Sequence, residues 1–121
     1  MDERVEKAFA VANYMATLSN QRRIIAEEFE QKLVFYQNGG TFKITPALIN
    51  FVKTSLDLGY TEDVPFLDDN RFPIVIKDVQ KFFEDIVDIY FGSINEYSSK
   101  FTEIKSKRKI SDMVELWPPG R

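Results

Sequence analysis

The chain has 121 residues, with 16 basic side chains, 19 acidic side chains and neither cysteine nor histidine. The missing cysteine excludes disulfides and thiolate chemistry, and the missing histidine removes the commonest general base and transition-metal ligand. The length predicts one domain, and a hydrophobic fraction of 44% predicts that the chain is folded. No apolar run reaches membrane-spanning length, and the acidic start "MDERVEKAF" is unlike a signal peptide, so we expect an intracellular protein without membrane contact.

The first predicted element is one long helix over residues 3–37, which contain neither proline nor glycine. Its apolar positions recur every three, four or seven residues, as on one face of an amphipathic helix. They are Val11, Tyr14, Leu18, Ile25, Phe29, Leu33 and Tyr36. The triplet "LSN" at 18–20 could instead cap a second helix, which leaves a break near Ser19 as an alternative.

A short strand and a middle helix follow. "QNGG" at 37–40 is interpreted as the stop of the first helix, and the alternation in "TFKIT" predicts a strand over about 41–45. The middle helix is predicted over about 46–58, with Thr45 as its N-cap, Pro46 in its first turn and Gly59 at its end. We expect its buried face to hold Leu48, Ile49, Val52 and Leu56.

The next segment predicts a hairpin and a second long helix. Two apolar runs over about 64–76 flank the turn residues Asp-Asp-Asn-Arg, which favours two short strands. Asp78 is the expected cap of a helix over about 78–108, whose apolar stripe advances in steps of three and four. Gly92 lies inside this helix and costs about 1 kcal/mol relative to alanine unless close packing requires it.

Two long helices with one apolar stripe each predict a mainly α fold. We expect a long antiparallel, coiled-coil-like helical hairpin with a small head that holds the middle helix and a short β-hairpin. The whole would form a single domain over residues 1–109, followed by a tail at 110–121. The alternative is that part of the stripe forms a bundle between copies of the chain.

No residue pattern marks a catalytic, cofactor or metal site, and we expect a protein that is not an enzyme. Asp68 and Asp69 lack the alternating ligands of a calcium loop and are interpreted as turn residues. The acidic positions Glu84, Asp85 and Asp88 favour a solvated helix face over a metal site. "NGG" is too short for a phosphate loop.

A basic run near the C-terminus is a candidate phosphate contact. It consists of Lys105, Lys107, Arg108 and Lys109. Affinity for nucleic acid through these residues would fall steeply with salt. The run lacks interleaved aromatic residues and the whole chain is acidic, so the alternative is a solvated helix end where cations complement the helix dipole.

The segment "ISDMVELW" is the candidate partner-binding site. It offers Ile110, Met113, Val114, Leu116 and Trp117. The spacing of Ile110, Met113, Val114 and Trp117 is typical of one face of a short helix, and tryptophan and methionine are common in interfaces. The alternative is that the segment packs on the core of its own chain.

Three stretches resemble a group of small helical proteins of large contractile-tailed phages. They are "NGGTFKITPALINFV", "FLDDNRFPIVIKDVQKFF" and "KRKISDMVEL", and the resemblance covers the chain from about Asn38 onward. It implies a phage-encoded protein in the cytoplasm of an infected bacterium or in a virion, and it implies no reaction. The end "ISDMVELW" is also similar in kind to the peptides by which some phage replication and late-transcription factors dock on a sliding clamp.

The function predicted from the sequence is a non-enzymatic protein–protein interaction or assembly protein that binds a protein partner or itself. The alternative is a replication or transcription accessory factor that contacts nucleic acid, a clamp or a polymerase through its tail. Binding to DNA that weakens with salt would separate the two.

Overall fold

The computed structural model describes residues 2–107 of the chain. They form three helices and two antiparallel β-hairpins, in the order α1, β1, β2, α2, β3, β4, α3. The described residues divide into two compact units, of which the first holds 2–28 and 96–107 and the second holds 29–95. The prediction of a mainly helical chain with a long helix near each end is confirmed.

Helix α1 spans Glu3–Lys32 without interruption, so there is no break near Ser19. Its predicted extension to residue 37 is wrong, because Val34–Gln37 form strand β1. The run Val-Phe-Tyr holds residue types that favour strands. Helical spacing alone could not exclude them, because Leu33 and Tyr36 also fit the apolar stripe.

Strands β1 and β2 (Gly40–Lys43) form the first hairpin, which was not predicted from the sequence. Gln37 pairs with Gly40 across a two-residue turn, and both turn residues have positive φ, 51° at Asn38 and 81° at Gly39. Asn-Gly is the preferred pair for such a turn because both residues tolerate the left-handed region. "QNGG" is therefore a hairpin turn, and its interpretation as a helix stop is wrong.

Helix α2 (Pro46–Asp57) has the ends that the sequence predicts. The hydroxyl of Thr45 accepts a hydrogen bond from the N–H of Leu48 at 3.1 Å. At the other end, Gly59 has a φ of 95°, and its N–H donates to the carbonyl of Leu56. Val52 on the predicted face is fully buried, and Leu48, Ile49 and Leu56 pack against the core.

The predicted second hairpin is present as β3 (Glu62–Leu67) and β4 (Pro73–Asp78), and helix α3 spans Val79–Lys107. Asp78 caps α3 as predicted, since its carboxylate accepts from the N–H of Lys81 at 3.1 Å. Buried side chains from β2, α2, β3, β4 and α3 form the core of the second unit. At its centre, the ring of Phe82 lies 5.2–5.8 Å from those of Phe35, Phe42 and Phe66.

The two hairpins contact each other within this unit. The side chain of Asn38 donates a hydrogen bond to the carbonyl of Val75 at 2.9 Å. Gly40 is buried against Ile74, and a Cβ at this position would lie 2.5 Å from Ile74 Cγ1. The first hairpin thus approaches β4 so closely that only a residue without a side chain fits at Gly40.

Candidate functional site

The sequence-predicted site residues lie mostly outside the described part of the chain. Lys105 is exposed in the last turns of α3, and Lys107 is the last residue of that helix. The other two members of the basic run, Arg108 and Lys109, lie outside the described residues. So do Ile110, Met113, Val114, Leu116 and Trp117, the predicted partner-binding residues.

An exposed apolar surface lies on the side of the second hairpin that faces away from the core. Strand alternation sends Val64, Phe66, Ile74 and Ile76 inward. The opposite side, which we call the outer hairpin face, consists of Pro65, Leu67, Pro73 and Val75. Leu67 is 58% exposed and Val75 is 48% exposed.

The four side chains of the outer hairpin face are neighbours because of the strand register. Pro65 pairs with Val75, and Leu67 pairs with Pro73. Residues opposite each other on one face of an antiparallel pair have Cβ atoms about 5 Å apart. The outer hairpin face is therefore one continuous apolar surface rather than four isolated side chains.

Two charged residues lie beyond the apolar residues at one end of the second hairpin. Val64 on β3 pairs with Ile76 on β4. Asp63 directly precedes Val64, and Lys77 directly follows Ile76. Both are exposed, and neither makes an ion pair with another residue of the described range 2–107. An acid on β3 and a base on β4 therefore follow the face at this end, and the φ of 51° at Asp63 interrupts the regular strand geometry there.

The loop between β3 and β4 is held by buried carboxylate hydrogen bonds. Asp68 is 7% exposed, and its carboxylate accepts from the backbone N–H groups of Phe72 (2.9 Å), Asn70 (2.9 Å) and Thr41 (3.1 Å). Burial raises the pKa of Asp68. The three hydrogen bonds together lower this pKa by more than burial raises it, so that it lies below its ordinary value.

Asp69 completes the attachment of this loop to the first hairpin. Its carboxylate accepts from the N–H of Lys43 at 3.0 Å, and its own N–H donates to the carbonyl of Thr41 at 2.9 Å. The carboxylates of both aspartates thus accept hydrogen bonds from backbone N–H groups, which leaves them poorly placed to bind a cation. Within residues 2–107, no cluster of three or more acidic side chains could hold a metal ion.

The acidic helix positions make a surface rather than a site. Asp85 lies 3.5 Å from the ammonium of Lys81 one turn earlier, whereas Glu84 and Asp88 are exposed. An ion pair of this kind contributes a few tenths of a kcal/mol to an exposed helix.

In the first unit, polar contacts join α1 to α3. The ammonium of Lys100 lies 3.1 Å from carboxylate oxygens of both Glu28 and Glu96. The hydrogen bond to Glu28, followed by that to Glu96, raises the pKa of Lys100 above its ordinary value. The guanidinium of Arg22 lies 5.4 Å from the centre of the Phe101 ring, within cation–π range.

The outer hairpin face is not among the sequence predictions, because 64–76 was interpreted only as two short strands around a turn. The signal was available: "VPFL" and "PIVI" are apolar at successive positions, whereas a strand with one solvated side alternates with polar residues. Leu67 and Val75, which lie between inward-facing neighbours, therefore place apolar side chains on the outer side of the hairpin.

No protein-family model, curated protein or solved structure matches this chain. In residues 2–107, no helix combines the length and the apolar character needed to cross a bilayer.

Proposed function

We propose that this chain is a non-enzymatic assembly protein that binds a second copy of itself through the outer hairpin face. The single observation that carries the proposal is the continuous exposed apolar surface made by Pro65, Leu67, Pro73 and Val75. Burial of apolar area contributes roughly 25 cal/mol per Å². Contiguous apolar surface of this kind is typical of interaction sites.

The charges around the face are self-complementary. If two copies stack face to face about a two-fold axis parallel to the strands, β3 of one copy lies over β4 of the other. Pro65 then meets Val75 of the second copy, Leu67 meets Pro73, and Asp63 meets Lys77. Each of these contacts occurs twice in such an isologous interface, which gives four apolar contacts and two ion pairs.

The attachment of the β3–β4 loop favours this role. Three backbone N–H groups donate hydrogen bonds to Asp68 in the loop, and the Asn38 side chain donates one to the carbonyl of Val75 in β4. These hydrogen bonds fix the hairpin that carries the face at its loop and at β4. A surface that is ordered before it binds loses less conformational entropy on association.

The helical part of the proposal is that α1 and α3 run antiparallel as a hairpin. The contacts Glu28–Lys100 and Arg22–Phe101 support it, since the residue number falls along α1 as it rises along α3. The resemblance to small proteins of contractile-tailed phages supports a setting in an infected bacterium or a virion. An assembly protein fits either place.

Light scattering coupled to size exclusion tests the proposal. We expect the full chain to be a dimer and Leu67→Asp to be a monomer. The matched control is Leu58→Asp, the same change at a leucine that is 70% exposed at the end of α2. The control should remain dimeric. A monomeric wild-type chain, or equal effects of the two substitutions, would overturn the proposal.

A charge exchange tests the geometry of the interface. Asp63→Lys and Lys77→Asp should each weaken the dimer, because each places like charges opposite one another. The double variant should recover most of the lost affinity. Failure of the double variant to recover, while all variants keep their helicity, would contradict the face-to-face arrangement.

A further inference from the structure

The turn of the first hairpin places a reactive pair of residues in water. Asn38 and Gly39 are both exposed, and Asn38 is the only asparagine of the chain that precedes a glycine. A glycine has no side chain to shield its backbone nitrogen from the amide of the preceding residue. The other five asparagines precede residues with large side chains, namely Tyr14, Gln21, Phe51, Arg71 and Glu96.

The backbone N–H of Gly39 is available for reaction. Gln37 pairs with Gly40 across the turn, and within residues 2–107 no acceptor binds the N–H of Gly39. Its nitrogen belongs to the residue that follows Asn38, so it can form a five-membered ring with the side chain of that asparagine.

The reaction of such a pair is deamidation through a cyclic imide. Hydroxide removes the proton from the Gly39 nitrogen, which then attacks Cγ of Asn38. A bond forms between these two atoms, the bond between Cγ and Nδ2 breaks, and Nδ2 leaves as ammonia with a proton from water. Water then opens the ring at Cγ to give aspartate, or at the main-chain carbonyl carbon to give isoaspartate. The net change is the gain of one water and the loss of one ammonia.

The folded turn slows this reaction. Nδ2 of Asn38 donates a hydrogen bond to the carbonyl of Val75 at 2.9 Å, and φ is 51° at Asn38 and 81° at Gly39. In a hairpin turn with these φ values, ψ of the first turn residue is about +30°. Closing the ring requires rotation of Asn38 away from that ψ. Reaction therefore follows when the first hairpin leaves β4 and its turn opens.

We propose that Asn38 is a site of spontaneous deamidation and that its products separate the first hairpin from β4. In the aspartate product, a carboxylate oxygen replaces the amide donor opposite the carbonyl of Val75, so that two acceptors face each other. The hydrogen bond is lost, and the new negative charge repels the carbonyl oxygen.

The isoaspartate product disturbs the same contact through the backbone. It adds one methylene to a two-residue turn, which is incompatible with the pairing of Gln37 with Gly40. Gly40 has no room to shift toward β4, because even a Cβ there would lie 2.5 Å from Ile74 Cγ1. Each product thus records irreversibly that the hairpins have opened. The site is independent of the outer hairpin face.

Peptide mass spectrometry of the full chain, incubated at mildly alkaline pH with and without denaturing urea, tests the site. We expect Asn38 to be converted in both samples, several-fold faster in urea because urea opens the turn. Asn70 is the internal control, since it is also exposed but precedes Arg71. Labelling with an isoaspartyl methyltransferase identifies the second product. Absence of conversion, conversion in urea alone, equal rates with and without urea, or equal rates at Asn38 and Asn70 would overturn the proposal.

Two substitutions test the effect of the product. Asn38→Asp imitates the aspartate product, and Asn38→Gly is the matched control, because it also removes the hydrogen bond but adds no charge and tolerates a positive φ. We expect a lower urea midpoint for Asn38→Asp than for Asn38→Gly at neutral pH. The difference should disappear in acid, below the ordinary carboxyl pKa of about 3.9. Equal midpoints at neutral pH, or a difference that persists unchanged in acid, would overturn the effect on the hairpins.

Discussion

The carboxylate of Asp68 accepts a hydrogen bond from the backbone N–H of Thr41, with 3.1 Å between Oδ2 and N, across 27 residues of sequence. This bond places the loop of the second hairpin on the edge of β2 that does not pair with β1. An open strand edge is a template for unwanted pairing. Asp68 therefore links the two hairpins and covers that edge.

We expect Asp68→Ala to destabilise the protein much more than Asp69→Ala does. The first substitution leaves three backbone N–H groups without their acceptor, whereas the second leaves only that of Lys43. These three bonds are part-buried, and a donor that loses its partner where water has little access carries a cost of desolvation. Urea denaturation of both variants measures the difference, and equal midpoints would show that the buried bonds of Asp68 contribute little.

The same carboxylate should make stability depend on pH in acid. The folded pKa of Asp68 is lowered, so its contribution is fully present above the unfolded pKa of about 3.9 and is lost as the pH falls through the lower folded pKa. Asp68→Asn cannot titrate. We expect the difference in urea midpoint between wild type and Asp68→Asn to shrink as the pH falls below about 4. A difference that is constant with pH would contradict the assignment.

Gly40→Ala should destabilise the protein by about 1–3 kcal/mol, as is typical of overpacked cores. The new Cβ would lie 2.5 Å from Ile74 Cγ1. Because the clash is with a side chain, Ile74→Ala should recover part of the loss when it is combined with Gly40→Ala. A double-mutant cycle in urea measures this coupling, and strictly additive effects would exclude the contact.

Gly92→Ala should have the opposite sign and stabilise the protein by roughly 0.5–1 kcal/mol. Gly92 lies inside α3, and a Cβ there would meet nothing within 4 Å. No close packing requires the glycine in the described part of the chain. Thermal unfolding measures the change, and a lowered melting temperature would indicate that a further molecule or segment approaches Gly92 closely.

Phe82→Ala should cost about 3–5 kcal/mol, the usual range for removing a buried aromatic side chain. Phe82 is 1% exposed and has three neighbouring rings. Phe91→Ala is the control, because Phe91 is 54% exposed and has one ring neighbour, Tyr90. Chemical denaturation compares the two variants. Similar losses would place the centre of the core elsewhere.

Local patterns were sufficient wherever neighbouring residues decide the structure. Thr45, Pro46 and Gly59 mark the ends of α2, and Asp78 marks the start of α3, because caps and turns depend on a few adjacent residues. The first hairpin was missed although its turn is also a local signal. Leu33 and Tyr36 fit a helical stripe as well as a strand, and the Asn-Gly turn that distinguishes the two was attributed to a helix end.

By itself, the sequence determined the helical character of the chain, the second hairpin and most helix ends, since spacing and capping are local properties. Only the tertiary structure decided that Asp68 accepts a hydrogen bond from the N–H of Thr41 and that Ile74 packs against Gly40, where a side chain would not fit. It also decided that Leu67 and Val75 face outward. These relations join residues far apart in the chain, and they depend on how strands are paired and packed, which no local pattern specifies.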